Sequence, residues 1–441
     1  MSMTEQPTGQ SSEPQAGRPP EPSSVPEPAS PAGQPSGTDL GELRQAIESV
    51  DQQLLGLFCQ RMAIARRIAD VKARSNASIF DADRELAILS EAGRAVSTDN
   101  RRAESLMRSI MRLSRSTQYE QLLAAGIEFD LGSQIRTAPA ELPVLSRVAY
   151  QGTIGSYSSQ ACQILFPEIS TTFVPTATFA DACDRVHEGI VDAAVLPLEN
   201  STAGTVDDVY DLLLKHRLNI WRSLALPVNH HLLGLPGTRL ADIKTVLSHP
   251  QALAQCSGII SRHGWTIRET MNTAFAAEEV AALSDRSVAA IASRSAADAF
   301  GLDIILPSIS NAAGNQTRFI VIGRNLILTP DADRVSLILR LPHQSGALAS
   351  TLAVFADRNL NLSKIESRPD ADNPWNYLFY IDFECTVGDR DQAIATLLQL
   401  SREMPMLRLL GWYGEVAPCD GTPCDGTPCD GVTSKGGSVD G

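Results

Sequence analysis

Apolar residues recur at three- and four-residue steps along residues 39–71, and this spacing is typical of a helix with one apolar face. It predicts a single helix of roughly 35 residues, which is unusually long. A shorter helix is expected to begin near Asp81, and a third between residues 101 and 124. Residues 38–125 are therefore predicted to form an all-α module of three helices. Residues 126–146 are predicted to be a linker.

From residue 147 to about 325, short β-rich runs such as RVAYQ alternate with helical runs. This alternation is typical of parallel sheets with helices on their faces. The run LNIWRSLALPVNHHLLGL is expected to cross between two α/β lobes that enclose a cleft, as in periplasmic binding proteins. Residues 333–416 instead follow the order strand, helix, strand, strand, helix, strand, which is that of a ferredoxin-like α+β fold.

Both ends of the chain have compositions that oppose a packed core. Residues 1–37 are dominated by Pro, Ser, Gly, Glu and Gln, which bury too little apolar surface to offset the entropy of ordering. Residues 417–441 contain the repeat CDGTPCDGTPCDG, whose Gly and Pro oppose regular structure. Both ends are predicted to be disordered, and a metal site formed by the cysteines of the repeat is the less favoured alternative.

Length, charge and cysteine usage limit the classes of protein. A chain of 441 residues with 43% hydrophobic content can build two or three cores. A net charge of −14 argues against nucleic acid or an anionic membrane as partner. No apolar run approaches the roughly 20 residues that span a bilayer, and the first residues do not resemble a signal peptide. The other five cysteines have no paired spacing. We therefore predict a cytoplasmic protein without a metal site.

Three cations on the long predicted helix have an informative spacing. Arg61 and Lys72 are almost three turns apart, so they share a face with their backbones about 16 Å apart and can converge on a ligand. Arg44 lies about 25 Å from Arg61 along the same axis, too far to share a small ligand within one chain. A long helix with apolar surface left over also needs a covering partner. Both arguments favour an intertwined homodimer, whereas scattered surface cations are the simpler alternative.

The pattern L-R-x-x-I…R…K…D-x-x-R-E…Q across the module resembles the AroQ-type chorismate mutase family. The resemblance implies a pericyclic rearrangement of chorismate to prephenate without a cofactor, so that the enzyme contributes orientation and electrostatic complementarity. The site residues that it implies are Arg44 of the neighbouring chain, Arg61, Lys72, Asp81, Arg84, Glu85, Thr117 and Gln121.

The resemblance also implies roles for these residues. Arg44 and Arg61 clamp the two carboxylates of the substrate, and Arg84 supports the carboxylate end. Lys72 and Gln121 face the ether oxygen, where negative charge develops. Asp81 and Glu85 hold the ring hydroxyl. Thr117 stands where the family often has Ser. A module that has lost activity and serves only for dimerisation is the alternative.

Polar turns follow several predicted strands, the richest being ENST at residues 199–202. A polar turn at a helix start presents free N–H groups and hydroxyls, which suit a carboxylate, although for ENST alone a helix cap is the favoured interpretation. Together, GTIGSYS, ENST, SHPQALAQC and NQTRF are similar to the motifs of prephenate dehydratase. The implied site residues are Ser156, Glu199, Asn200, Ser201, Thr202, Gln251, Thr317, Arg318 and Phe319.

The dehydratase resemblance implies loss of ring hydroxide and carbon dioxide, which gives phenylpyruvate. Thr317 is assigned to the leaving hydroxyl by hydrogen bonding. Glu199 is either an acid or a structural anchor, and Arg318 either binds a carboxylate or forms a structural ion pair. His249 is a weaker candidate, because a histidine before proline is often a cap. Plant arogenate dehydratases share these motifs, but the fused mutase favours prephenate.

SGAL at residues 345–348 and ESRP at 366–369 resemble the phenylalanine-binding motifs of ACT regulatory domains. They imply feedback inhibition by phenylalanine, although Ser345 departs from the usual proline of the family. The implied effector residues are Gly346, Ala347, Leu348, Glu366, Ser367, Arg368 and Pro369. A non-catalytic small-molecule sensor is the rival interpretation from another class, because two-lobed α/β folds and ACT domains both bind ligands without chemistry.

Overall fold

The computed structural model describes residues 39–417 apart from 76, 97, 168–169, 371–372 and 374–375. The predicted disordered segment 1–37 and nearly all of the predicted tail 417–441 lie outside the described residues. The chain divides into two compact units, one that ends at Arg61 and one that begins at Met62. No helix among the described residues is both long and apolar enough to cross a membrane.

The predicted helical module is confirmed as α1 (Leu40–Ser75), α2 (Ala82–Ala95) and α3 (Asn100–Ala124). Asp81 caps α2, because its carboxylate accepts from the backbone N–H of Arg84. In the first unit, the apolar residues of α1 are largely exposed. They are Leu40, Leu43, Ile47, Val50, Leu54, Leu55 and Leu57.

The helices of the α/β domain are α5 (Tyr157–Leu165), α6 (Phe179–His187), α7 (Asp207–Lys215), α8 (Pro250–Gln255), α9 (Ser257–His263), α10 (Thr273–Leu283) and α11 (Arg294–Phe300). Its strands are β1 (Arg147–Gln151), β2 (Thr172–Thr176), β3 (Ala193–Asn200), β4 (Gly204–Thr205), β5 (Asn219–Pro227), β6 (His231–Gly234), β7 (Thr245–Ser248), β8 (Thr266–Glu269), β9 (Val288–Ala292), β10 (Asp303–Leu306) and β11 (Gln316–Gly323). They form two sheets, so the predicted pair of lobes is confirmed.

The two sheets are mixed rather than wholly parallel. The first lobe has the order β5-β11-β3-β1-β2, and the second has β10-β6-β9-β7-β8. The chain leaves the first lobe through β5 and returns to it through β11, so these neighbouring strands run antiparallel. The crossover predicted from the run LNIWRSLALPVNHHLLGL lies at the first of these two passages.

The C-terminal domain consists of β12 (Arg334–Arg340), α12 (Ala347–Ala356), β13 (Leu362–Pro369), β14 (Tyr377–Glu384), α13 (Arg390–Glu403) and β15 (Met406–Val416). The strand order β13-β14-β12-β15 is the predicted ferredoxin-like arrangement. β15 also pairs in parallel with β5, so this sheet is continuous with that of the first lobe. The sequence pattern did not predict this junction.

The segment predicted as a linker contains a helix, α4 (Asp130–Thr137). Its Ile135 is buried in the core of the C-terminal domain, together with Phe129 and Tyr119. The helical module and the C-terminal domain therefore share one core within the second unit.

Candidate active sites and effector site

A cavity of about 440 Å³ lies between the two lobes, where α5, α8 and α10 begin. The first lobe contributes Ser156, Asn200 and Thr317 to its lining, and the second contributes Gln251 and Asn272. Each of the three helices has a side-chain cap, formed by Ser156, His249 and Asn272. The first turns of α5 and α10 bring backbone N–H groups to the cavity, and such groups favour anionic ligands. In α8 the first residue is a proline and the N–H of Gln251 donates to His249 Nδ1.

Thr317 is the second residue of β11, and a hydrogen bond holds its side chain in place. Its Oγ1 accepts a hydrogen bond from Asn200 Nδ2 at 2.9 Å. Asn200 is itself held by its Oδ1, which accepts from Thr202 Oγ1 at 2.8 Å. Among the described residues, no acceptor is recorded for the hydroxyl proton of Thr317, so this proton is available to a ligand.

Gln255 joins the two lobes through this network. Its Nε2 donates to Thr202 Oγ1 at 2.8 Å, and its Oε1 accepts from Asn315 Nδ2 at 3.3 Å. The ring of His230 lies 3.0 Å from the same oxygen. Asn315 Oδ1 in turn accepts from Asn200 Nδ2 at 2.8 Å. The side chains around Thr317 therefore depend on both lobes.

Glu199 and Arg318 do not line this cavity, and their predicted place in the substrate site stays a prediction. Successive strand residues point to opposite faces, so Thr317 and Phe319 line the cavity while Arg318 faces away from it. Arg318 Nη1 lies 2.6 Å from Glu199 Oε1, and Lys364 Nζ lies 2.7 Å from Glu199 Oε2. Ser201 also lines this outer face, although its hydroxyl contacts Asn315.

The charge state of Glu199 follows from these partners. Burial alone would raise the pKa of Glu199, but the hydrogen bond from Lys364 and the charges of Lys364 and Arg318 hold this pKa below its ordinary value. An ionised carboxylate between two cations is a poor proton donor. Of the two roles left open for Glu199, the geometry favours the anchor.

Of the predicted mutase residues of the second unit, Lys72, Asp81, Arg84 and Glu85 lie close together near the start of α2, whereas Thr117 and Gln121 lie on α3. The charges of Asp81, Arg84 and Glu85 act on the Lys72 ammonium, whose pKa is lowered by partial burial. Lys72 Nζ donates to the backbone oxygen of Ile79 at 2.8 Å. Gln121 Nε2 donates to Asp70 Oδ1 at 3.0 Å. Thr117 Oγ1 donates to Leu113 O.

Two predicted mutase residues, Arg44 and Arg61, lie on α1 in the first unit. Their predicted roles in the carboxylate clamp stay predictions.

Arg115 is a neighbour of the mutase site that the sequence did not identify. Its Nη1 lies 2.6 Å from Glu85 Oε2, and its Nε lies 2.8 Å from Glu403 Oε1 of the C-terminal domain. The side chains of Arg115 and Glu403 are 11% and 6% exposed, so this ion pair is buried. A cavity of about 280 Å³ beside it is also lined by Gly346.

The two predicted effector motifs lie in different surroundings. Gly346 has φ +80°, a conformation that glycine adopts readily, and it precedes α12. The loop lines a cavity of about 410 Å³ with Ala347, Leu348 and Tyr377.

The ESRP motif is instead turned toward the α/β domain, and its predicted role in binding phenylalanine stays a prediction. Arg368 Nη1 donates to Asp207 O at 2.8 Å and to Asp211 Oδ1 at 2.9 Å. Glu366 contacts Thr205 Oγ1. Ser367 and Pro369 alternate with these residues and are exposed.

Comparison with protein-family models gives matches to all three parts of the chain. Residues 43–119 match chorismate mutase type II, residues 148–326 match prephenate dehydratase, and residues 335–402 match the ACT domain. The bifunctional chorismate mutase/prephenate dehydratase of Enterobacter agglomerans is 34% identical over 84% of this chain and 95% of its own length. The chain belongs to the bifunctional chorismate mutase/prephenate dehydratase family.

Two other relatives cover the C-terminal part of this family member. Arogenate dehydratase/prephenate dehydratase 1 of Arabidopsis thaliana is 42% identical over 60% of this chain and 71% of its own length. The crystal structure of a prephenate dehydratase from Arthrobacter aurescens, solved in complex with L-Phe, is 32% identical. It covers 61% of this chain and 90% of its own, with a TM-score of 0.55.

Several residues of the interlobe cavity were not predicted for this family member. Gln255 and Asn315 lie within the motifs SHPQALAQC and NQTRF, so the signal for them was present. Asn272 caps α10 from an ordinary polar turn, and His230 lies within the crossover run. Neither has a local pattern that separates it from a structural residue.

Burial of His230 gives the α/β domain a sensitivity to acid. Burial lowers the pKa of His230, and the charge of His231 adds to this effect, although Gln255 opposes it. The pKa of His230 is lower in the folded chain than in the unfolded chain, where it is near 6.5. The contribution of neutral His230 to the free energy of unfolding is therefore complete above pH 6.5 and is lost as the pH falls toward the folded pKa. Calorimetry at pH 7.5 and at pH 5.5 gives the midpoint temperature of unfolding. Between these two pH values, this temperature should fall less in His230→Gln than in the wild type, by a difference of roughly 2 to 4 °C.

His263→Gln is the matched control, since His263 is exposed. We expect this variant to follow the wild-type pH dependence. An equal fall in the wild type and His230→Gln would show that His230 does not carry the effect.

Proposed function

We propose that this chain converts chorismate to prephenate in the helical module and prephenate to phenylpyruvate in the cavity between the lobes. Family membership and the retained set of mutase residues support the first activity. The observation that carries the second is Thr317, a hydroxyl held by Asn200 with its proton available to a ligand. A ligand sensor without catalysis has no need for this arrangement.

For the dehydratase step, the chemistry needs little from the protein beyond orientation and assistance to the leaving group. The electron pair of the breaking carbon–carboxylate bond enters the ring as the ring hydroxyl departs, and carbon dioxide is released. Thr317 donates a hydrogen bond to the departing oxygen. The N–H groups at the start of α5 and the side chain of Gln251 bind the carboxylates of prephenate.

For the mutase step, charge moves toward the ether oxygen as its bond to carbon breaks. Lys72 is the cation that meets this charge. In the chain without substrate its ammonium donates to Ile79 O, and the ether oxygen of chorismate takes the place of that acceptor. Glu85 accepts from the ring hydroxyl and is oriented by Arg115.

The clamp residue Arg44 acts in a second copy of the chain. The exposed apolar residues of α1 in the first unit support a homodimer, because such a surface is rarely left open to water. We propose the cytoplasm as the location of this dimer.

We propose phenylalanine as the effector, bound at the SGAL loop. Lys364 on β13 connects the C-terminal domain to the dehydratase site. It binds Glu199, which immediately precedes Asn200. A shift of β13 on effector binding would move Glu199 and with it the residue that holds Thr317.

Lys364→Met should therefore weaken inhibition of the dehydratase by phenylalanine. Allosteric coupling is typically worth 5- to 150-fold, so we expect the concentration for half-inhibition to rise by at least about fivefold. Prephenate turnover is measured over a series of phenylalanine concentrations. Lys244→Met, which changes an exposed lysine of the second lobe, is the control. Unchanged inhibition in Lys364→Met would rule out this path.

The substrate of the dehydratase is tested by supplying prephenate and arogenate separately to the full chain, with and without phenylalanine. We expect a higher kcat/KM for prephenate and inhibition by phenylalanine. A marked preference for arogenate would replace the proposed substrate. Absence of turnover with both substrates would favour the sensor.

A further inference from the structure

A second large cavity, of about 980 Å³, lies at the opposite end of β5 and β11 from the dehydratase site. α4, α13 and β15 complete its walls. Thr317 of β11 lies at the dehydratase site, and Gly323 is the last residue of the same strand, next to the second cavity. Six residue steps along the strand separate Thr317 from Gly323 by about 20 Å. This cavity is therefore separate from the proposed substrate site.

Four arginines line this cavity, which we call the arginine groove: Arg217, Arg324, Arg402 and Arg408. The lining contains one carboxylate, that of Asp130. In the described part of the chain, none of the four arginines forms a salt bridge with a carboxylate. The concentration of positive charge is unexpected in a protein of net charge −14.

Arg408 is held in place by neutral partners. Its Nη2 donates to Arg217 O at 2.9 Å, to Leu218 O at 3.1 Å and to Asn219 Oδ1 at 3.0 Å. Its Nε is buried and has no hydrogen-bond partner among the described residues. Burial lowers the pKa of Arg408, and the charge of Arg217 adds to this effect. A buried charge without a counter-charge destabilises a protein unless something compensates it.

Arg217 adds a second, independent signal. Its φ is +52°, a left-handed conformation that is unfavourable for a residue with a Cβ atom. Glycine or asparagine would adopt this conformation more easily, so the structure retains an arginine at a conformational cost. Asn219 connects the groups, because its Nδ2 donates to Arg324 O at 2.8 Å while its Oδ1 accepts from Arg408.

We propose that the arginine groove binds a small organic anion with two or more negative charges, carried by phosphate or carboxylate groups. Planar guanidiniums bind both kinds of group through paired hydrogen bonds. Arg408 forms the fixed base of the site. Arg217 and Arg402, which are exposed, contact the outer part of the ligand. Arg324 adds positive charge to the groove while its Nη1 donates to Val186 O at 2.8 Å.

The test is calorimetric titration of the full chain with inorganic pyrophosphate and, separately, with citrate, at constant ionic strength. We expect saturable binding of at least one probe. Binding of pyrophosphate alone would identify phosphate groups as the preferred chemistry, and binding of citrate alone would identify carboxylates. Absence of saturable binding for both probes would overturn the proposal.

The double variant Arg217→Asn/Arg402→Gln should weaken this binding at least about tenfold, because it removes two of the positive charges that form charge-assisted hydrogen bonds with the anion. Asparagine suits the left-handed conformation at position 217, so folding is expected to be retained. Arg390→Gln, at the other end of α13, is the matched control and should bind like the wild type. Equal affinity in the wild type and the double variant, or an equal loss in the control, would contradict the proposed site.

Discussion

Thr317→Val is expected to lower the kcat of the dehydratase by about 10²–10³-fold, the usual cost of removing one hydrogen-bond donor to a developing charge. Valine keeps the size of threonine and removes its hydroxyl. The Asn200 amide loses one acceptor but keeps Asn315. Turnover is measured with prephenate as substrate. The mutase activity of the same variant should remain within about twofold of wild type, since Thr317 lies outside the helical module.

Thr329→Val is the matched control for this variant. Thr329 is also a buried threonine, at 4% exposure, and it does not line the interlobe cavity. Its hydroxyl has no hydrogen-bond partner in the described part of the chain, so the substitution should leave both activities near wild type. Dehydratase turnover of Thr317→Val that equals that of this control would remove Thr317 from the mechanism.

Lys72→Met is expected to lower the kcat of the mutase by a similar factor, about 10²–10³. Methionine keeps an unbranched chain of comparable length and removes the charge that meets the ether oxygen. Because Lys72 is only partly buried, the helix should form as before, which circular dichroism checks. The measurement is the disappearance of chorismate in a steady-state assay.

Arg74→Met is the matched control for Lys72→Met. It tests whether loss of any positive charge from this part of α1 lowers mutase turnover. Arg74 is exposed in the last turn of the same helix, so its loss should change mutase turnover by less than about threefold. Retention of near-normal turnover in Lys72→Met would refute the assignment of this residue. Equal losses in the two variants would refute it as well.

Much of the fold follows from sequence periodicity. The switch from helical spacing to alternating β-rich and helical runs near residue 147 identifies the helical module and the two-lobed domain. The junction of β15 with β5 could not be predicted, because pairing between strands far apart in the chain depends on tertiary packing. The helix α4 was missed for a related reason, since burial of Ile135 in the core of another domain stabilises it.

The candidate dehydratase site was predicted in part. Motifs identified Ser156, Asn200, Thr202, Gln251 and Thr317, and all of these lie at the interlobe cavity or in its hydrogen-bond network. Successive residues of a strand point to opposite faces, so this rule already places Arg318 on the face opposite to Thr317. Motif membership alone cannot distinguish the two faces of a strand.

The partners of the outer face required the tertiary structure. No local pattern indicates that Lys364 would meet Glu199, or that Arg368 would meet α7. The same limit applies to Arg115 and Glu403, which come from separate domains. Of these contacts, the one between Lys364 and Glu199 is the path that we propose for the effector.

The most direct test of two independent active sites is to supply chorismate to the wild type, Lys72→Met and Thr317→Val, and to identify the products over time. The account predicts phenylpyruvate from the wild type, accumulated prephenate from Thr317→Val at the wild-type rate of chorismate loss, and nearly unchanged chorismate with Lys72→Met. Phenylpyruvate formed by Thr317→Val at the wild-type rate would contradict it.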